Sequence, residues 1–442
     1  MCKNAGGHGR CRSVFISVNS AGTESKDAFK QFCLFTKTLN IILKIERRGL
    51  LALICLAGFS ALADTQVDQD SLTAANTGFA FDLLKQIAGK QPGGNVFISP
   101  YSVSTVLQMV DDGAAGRTKQ EMESVLHVSG LAARDAACKS LDQSITNGQH
   151  DATLNLANSI WFKQGVELKP EFAACCTNYF QAKTGALDFT SPQSAKIIND
   201  WAEENTHGRI TDIVQWPMDP LIRVILANAI YFKGRWAHEF DKSSTKDRAF
   251  TSPDGTQRQV PMMQQHGHFD YFQARGLQAV RLPYAGGRLE MYLFLPDSTS
   301  DIKKLLAGFD GSIWQSNLVS QFRDREGMVA LPRFKLNYDV ILNEPLEALG
   351  MKRAFSSEAD FSAMAAEKLL LSEVKQKSFV EVNEEGTEAV AVTTATLRAM
   401  VMMRPEKPFE MILNHPFFFV IGDQTTRSIL FMGIVSNPGA LR

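Results

Sequence analysis

Cysteine is scarce in this chain of 442 residues: there are seven, and only Cys138, Cys175 and Cys176 lie beyond residue 63. Three thiols are no disulfide framework, which excludes the small cross-linked folds; one bridge from Cys138 to Cys175 or Cys176 stays open beside three buried free thiols. No Asn-x-Ser/Thr sequon occurs beyond residue 63, so glycosylation gives no support for a eukaryotic secretory route. Gly-x-Ser-x-Gly, His-Glu-x-x-His, the phosphate-cradling Gly-x-x-x-x-Gly-Lys-Ser/Thr and the dinucleotide glycine fingerprint are all missing. Eight histidines stand singly apart from His266 and His268, a pair without a third ligand at metal spacing. The expectation is a protein that is not an enzyme and holds no metal or cofactor.

Long apolar runs are equally rare. One stands out, Gly49 to Ala63, fifteen residues without charge behind Lys44, Arg47 and Arg48. It is shorter than the about 20 residues of a membrane span but has the length of a signal-peptide core, and Ala61-Leu62-Ala63 supplies a small-x-small cleavage site. This reading divides the chain into an extension over 1–45, from a start assigned too far upstream or a genuine leader, a signal peptide over 46–63, and a secreted domain over 64–442, extracellular or periplasmic. The first 63 residues carry nine Lys/Arg against three Asp/Glu, so without them the net charge moves from −1 to −7. A mildly acidic protein is a poor partner for nucleic acid or an anionic membrane. Hydrophobic residues at 45% and charged residues at 21% are ordinary for a globular protein with a large core.

Within 64–442 the periodicity predicts helices over 72–88, after Pro100, over 169–180, over 194–213 and over 346–355. It predicts strands over 152–164, 185–189, 222–236 and 329–336, with hairpins over 260–271 and 280–297. Asn228 interrupts the nearly continuous apolar strand from Ile222 to Trp236, a placement that demands a hydrogen-bond partner. Ser99 and Ser102 make the same demand at the head of an apolar helix.

The most unusual stretch follows the strand ending near Glu385. From Gly386 to Thr396 every residue is small or β-branched except Glu388. With a strand's period of two, Thr387, Ala389, Ala391, Thr393 and Ala395 share one face, uncharged and nothing larger than threonine, which could slide between two strands without overpacking. Gly386 gives the backbone freedom at the base. The segment suits exposure in one state and a central strand in another.

Glu384-Glu385-Gly386-Thr387-Glu388-Ala389, after Phe379-Val380-Glu381-Val382-Asn383 and before His415-Pro416-Phe417-Phe418-Phe419, closely resembles the hinge and C-terminal signature of the serpins. The resemblance extends in order from about Leu72 to Pro438. It implies an α+β fold of three β-sheets and about nine helices with an exposed reactive-centre loop. It further implies a monomeric inhibitor that traps a serine protease as a covalent acyl complex when the cleaved loop inserts into the main sheet. The hinge is Glu384, Gly386, Thr387, Glu388, Ala389 and Ala391. Counting Gly386 as first, the fifteenth residue is Met400, so the bond is Met400-Val401, suited to an elastase-like or chymotrypsin-like target, with Arg398-Ala399 as runner-up. Ser99, Ser102 and Asn228 fall in the shutter, Trp236 and Arg333 in the breach, where Arg333 can pair with Glu384. Gln376 stands where inhibitory relatives commonly carry histidine, so any pH sensitivity of that histidine does not transfer. The helix after Leu131 carries only Arg134 and Lys139, which does not support heparin binding. The alternative is a serpin fold without inhibition, a chaperone, carrier or storage protein, which often places a bulky or charged residue in the hinge.

Overall fold

A computed structural model describes residues 68–147, 152–297, 302–387 and 407–439. A long helix, α1 (68–90), leads through β1 (Val96–Ile98) into α2 (Pro100–Asp111). Pro100 opens α2 with its fixed φ, and the Ser99 hydroxyl accepts from the Ser102 amide at 3.3 Å. Every residue of α2 is buried, which makes it a core helix. There follow α3 (Gly116–Val125), α4 (Arg134–Asn147), β2 (Ala152–Lys163), α5 (Pro170–Asn178), β3 (Lys183–Leu187), α6 (Pro192–Asn205) and β4 (Val224–Arg235). The expected helix to 213 stops at Asn205 because Thr206 leaves the helical region and His207 and Gly208 both take positive φ.

Next come β5 (Lys246–Thr251), β6 (Gln257–Ala274), β7 (Leu277–Pro283), β8 (Leu289–Pro296), α7 (Ile302–Ala307) and α8 (Gly311–Ile313). The single strand expected over 329–336 is two: β9 (Arg323–Pro332) and β10 (Phe334–Ile341) belong to different sheets. Pro332 has no amide to continue a ladder, and the chain turns at Arg333. The helix expected over 346–355 is α9 (Asn343–Leu349), closed by Gly350 at φ 122°, and a separate turn of 3-10 helix at Arg353–Phe355. The chain closes with β11 (Glu373–Asn383), β12 (Gly386–Thr387), β13 (Phe409–Ile412), β14 (Phe417–Asp423) and β15 (Ile429–Val435).

The described residues thus hold nine α-helical stretches and two hydrogen-bonded sheets. One has six strands in the order β10-β11-β12-β4-β2-β3; the other runs β1-β15-β14-β8-β7-β6-β9-β13, with β5 on β6. The latter joins two of the three expected sheets, because the eighteen-residue β6 pairs with β5 along its first part, with β9 from Met262 to Tyr271 and with β7 at its end. In β4, Val224, Leu226, Ile230 and Phe232 point into the main core, while Ile225, Ala227 and Ala229 face a smaller cluster under α6 that contains Ile198, Trp201 and Ala202. Burial on both faces explains the unbroken apolar run that the sequence displays there.

Candidate functional site

The six-stranded sheet divides at its middle. Over Glu373–Phe379, β11 pairs directly with β4 in parallel, Gln376 opposite Asn228. Beyond that the two strands part and β12 lies between them, antiparallel to both: Thr387 faces Val382 on one side and Gly234 on the other, and Gly386 faces Asn383 and Arg235. The first residues of the segment expected as a hinge, Gly386 and Thr387, therefore sit in the sheet. Thr387 is fully buried, with its Oγ1 2.9 Å from the Tyr284 hydroxyl. Gly386 has φ 146°, a conformation that L side chains rarely adopt.

The approach to this slot is fixed from both ends. Trp236, buried and stacked on Tyr284 with ring centroids 4.6 Å apart, donates its indole N–H to the Asn383 carbonyl at 3.0 Å. Its backbone amide donates to the Glu385 carbonyl at 3.0 Å, and the Phe240 amide to that of Glu384 at 2.9 Å. Arg333, at the corner between the two sheets, donates to Glu384 Oε1 from Nε at 2.8 Å and from Nη2 at 2.5 Å, and the Thr245 hydroxyl joins them. Burial pushes the Glu384 carboxyl up, but the bonds from Arg333 and Thr245 outweigh it and hold it below the usual range. Lys242 pairs with the neighbouring Glu385.

Where β11 and β4 are still closed, their inward side chains form a polar group in an apolar core. Gln376 donates to the Ser99 carbonyl at 3.0 Å and to Asn228 Oδ1 at 2.7 Å, and accepts from the Ser99 amide at 3.0 Å. Asn228 in turn donates to Ser102 Oγ at 2.5 Å and to Asn158 Oδ1 at 2.6 Å. Ser378 donates to the Phe97 carbonyl. The glutamine satisfies every polar atom of its amide, and no titrating group takes part.

The structure thus brings Ser99, Ser102, Asn228 and Gln376 together, and Trp236, Arg333, Glu384, Gly386 and Thr387 together one sheet-end away. Glu388, Ala389, Ala391 and the bond residues Arg398, Ala399, Met400 and Val401 lie outside the described residues, as do 1–63. The sequence reading missed Asn158, Thr245 and Tyr284. Asn158 alone left a signal, a polar residue inside an expected strand, although its place opposite Asn228 comes only from the register; Thr245 lies in a connection, and nothing in the hairpin expected over 280–297 marks Tyr284.

The three thiols Cys138, Cys175 and Cys176 are free, and burial pushes each up to about 12. None is poised as a nucleophile at neutral pH. Asp112, Asp135 and Cys175 come within ligand reach of one another, but Arg134 pairs with Asp112, Asp135 and Asp111. That buried guanidinium supplies the positive charge a cation would bring, and it removes Arg134 from the exposed face of α4. His266 contacts Gln264 and His268 contacts Asp324. Among the described residues no helix is long and apolar enough to cross a membrane.

Residues 74–438 match the family model described as Serpin (serine protease inhibitor). Leukocyte elastase inhibitor of Bos taurus is 38% identical over 380 residues, 84% of this chain and all of that one. A serpin-like protein of Thermococcus kodakarensis is 37% identical over 86% of this chain and 90% of its own length. Among solved structures, the native thermophilic serpin tengpin superposes with a TM-score of 0.75 at 28% identity, covering 82% of this chain and 94% of that one. Human thyroxine-binding globulin, solved in complex with thyroxine, superposes with a TM-score of 0.76 at 25% identity, covering 84% of this chain and all of that one.

Proposed function

The chain belongs to the serpin family, and we propose that it is an inhibitor that acts as a suicide substrate of an elastase-like or chymotrypsin-like serine protease. Fold likeness does not separate this reading from a carrier, since the similar structures include one solved with thyroxine. The observation that carries it is β12: a threonine already buried between β11 and β4, at the start of a segment whose inward residues stay small.

In this reading the protease serine hydroxyl attacks the Met400 carbonyl, the bond to Val401 breaks, and Val401 leaves as a free amine while Met400 is held as an ester. The segment after Thr387 then follows β12 into the sheet, carrying the acylated protease with it. Ten or so new ladder bonds at about 1 kcal/mol net each supply on the order of 10 kcal/mol. Displacing reacting groups by about 1 Å can slow a step roughly 100-fold, which is enough to stall hydrolysis of the ester. The chain itself performs no turnover in this scheme and acts as a monomer.

Secretion is proposed on residues 46–63 alone. The bovine relative is matched over its whole length by 84% of this chain, so it offers no counterpart for the remainder and adds no support.

The test is to mix the protein with neutrophil-type elastase, chymotrypsin and trypsin, then run boiled denaturing gels and weigh the released peptide. A boiling-resistant adduct with a peptide starting at Val401 is expected. A peptide starting at Ala399 would move the bond to Arg398. Cleavage without an adduct by all three, and without a gain in heat stability of the cleaved form, would overturn the inhibitory reading in favour of a non-inhibitory serpin.

A further inference from the structure

A cavity of about 800 Å³ opens on the outer side of β2, between α4 and α6, a volume within the range of small-molecule sites. Its apolar lining includes Leu156, Ile197 and Phe180 beside Trp161 and Trp201. The two indoles meet edge to face with centroids 6.3 Å apart, and Trp161 spends its N–H on Ser159 Oγ at 2.8 Å. Trp161 is almost fully covered and Trp201 is 9% exposed, so what the pair offers an occupant is a narrow strip of ring, chiefly from Trp201.

The charge of the lining has one dominant sign. Asp142, Asp200 and Glu204 stand against Lys183. Asp200 is neutralised by Lys196 at 2.6 Å, whereas neither Asp142 nor Glu204 has an ion-pair partner among the described residues. Asp142 is half-buried on α4, and burial pushes its carboxyl up to about 6. A carboxylate without a counter-charge beside aromatic faces is the combination that attracts an organic cation, by ion pairing at one end and by cation–π and apolar contact along the body.

We propose that this cavity binds a small organic amine with an apolar or aromatic body, its ammonium paired with Asp142, its body against Trp161 and Trp201, and the charge of Glu204 adding to the attraction. The site also touches the strand junction, because Asn158 both lines the cavity and accepts from Asn228. An occupant that shifts Asn158 alters the polar group that holds β11 to β4. This second consequence, control of strand opening by an amine, rests on the inhibitory reading.

The experiment uses three probes of one shape, 4-phenylbutylamine, 4-phenylbutanol and 4-phenylbutanoate, titrated calorimetrically into the whole protein without protease. Tryptophan emission is followed in parallel, since two of the five tryptophans line the cavity. Saturable one-to-one binding of the amine is expected, about tenfold weaker binding of the alcohol, and none of the carboxylate. Asp142→Asn is expected to bring the amine down to the alcohol's affinity; Glu204→Gln, an exposed change that leaves the fold untouched, is expected to weaken the amine by a smaller factor. Equal binding of all three probes, absence of amine binding, or amine binding unchanged in both variants would overturn the site. Because no protease is present, these outcomes are independent of whether the chain inhibits one. Where the amine binds, an unchanged ratio of inhibition to cleavage at saturating amine would overturn the control of opening and leave the site standing.

Discussion

Gly386 sits so close to Gly234 that a Cβ built on it would lie 2.2 Å from the Gly234 carbonyl oxygen and 2.7 Å from the Arg235 Cα. Both obstacles are backbone in the middle of a sheet, so neither can yield. The least costly relief for Gly386→Ala is for β12 to leave its slot. A loss of about 2 kcal/mol is expected in urea unfolding, together with faster limited proteolysis around residues 384–388. Unchanged proteolysis would mean that β12 is not held where the pairing places it.

Thr387 fills its place beside Tyr284 with no exposed surface. An arginine there must bury an unpaired charge for the strand to form. On the proposed inhibitory function, Thr387→Arg is expected to leave cleavage of the loop intact while abolishing the boiling-resistant adduct. Full retention of the adduct would separate trapping from the seating of this residue.

Gln376 binds Ser99 and Asn228 without an ionisable atom. Gln376→Ala leaves Asn228 Oδ1 and the Ser99 amide without their partner, while the Ser99 carbonyl keeps the Val103 amide, for an expected loss of about 2–3 kcal/mol. Gln376→His would place a titrating ring in a buried site, with its pKa lowered by desolvation. Its stability is then expected to be fully present above about pH 6.5 and to fall as the pH drops below, whereas the native protein holds constant at this position. Unfolding midpoints of the two proteins between pH 5 and 8 provide the check.

The Glu384 carboxyl is held below its usual range by Arg333 and Thr245. A depressed folded value means a contribution fully present above about pH 4.5 and lost as the pH falls through the lower folded value. Acidification is expected to release the base of β12, with a change in near-ultraviolet signal from Trp236, which is bonded to Asn383. Glu384→Gln should lack this step. An identical acid transition in both would place its origin elsewhere.

Much of this architecture was legible because the signals are local. Alternation marks β2, double-sided burial marks β4, and Asn228 declares its need for a partner by its position alone. The breaks were not legible, since they depend on the register of distant strands. Pro332 marks a break beside Arg333 but does not say that β9 and β10 serve different sheets, and nothing near Gly386 shows that the slot between β11 and β4 is already open to receive it. Tyr284 and Thr245 entered the site for the same reason: each becomes part of it only when β6, β7 and β11 have assembled.

The two residues of β12 also set a gauge for all that would follow them. Pairing Gly386 with Asn383 and Arg235 means that each further residue advances one step along both neighbours in opposite sense. Counting on, Thr393 would arrive between Gln376 and Asn228, the pair whose hydrogen bond must part, and its hydroxyl can accept from one and donate to the other. The count runs out at Leu397, opposite Val224, the first residue of β4. Ten steps at about 3.3 Å carry that end roughly 33 Å from the mouth of the slot, so Arg398 and Met400 would emerge at the far pole of the molecule. A tether three residues long would then be all that joins the captured enzyme to the sheet.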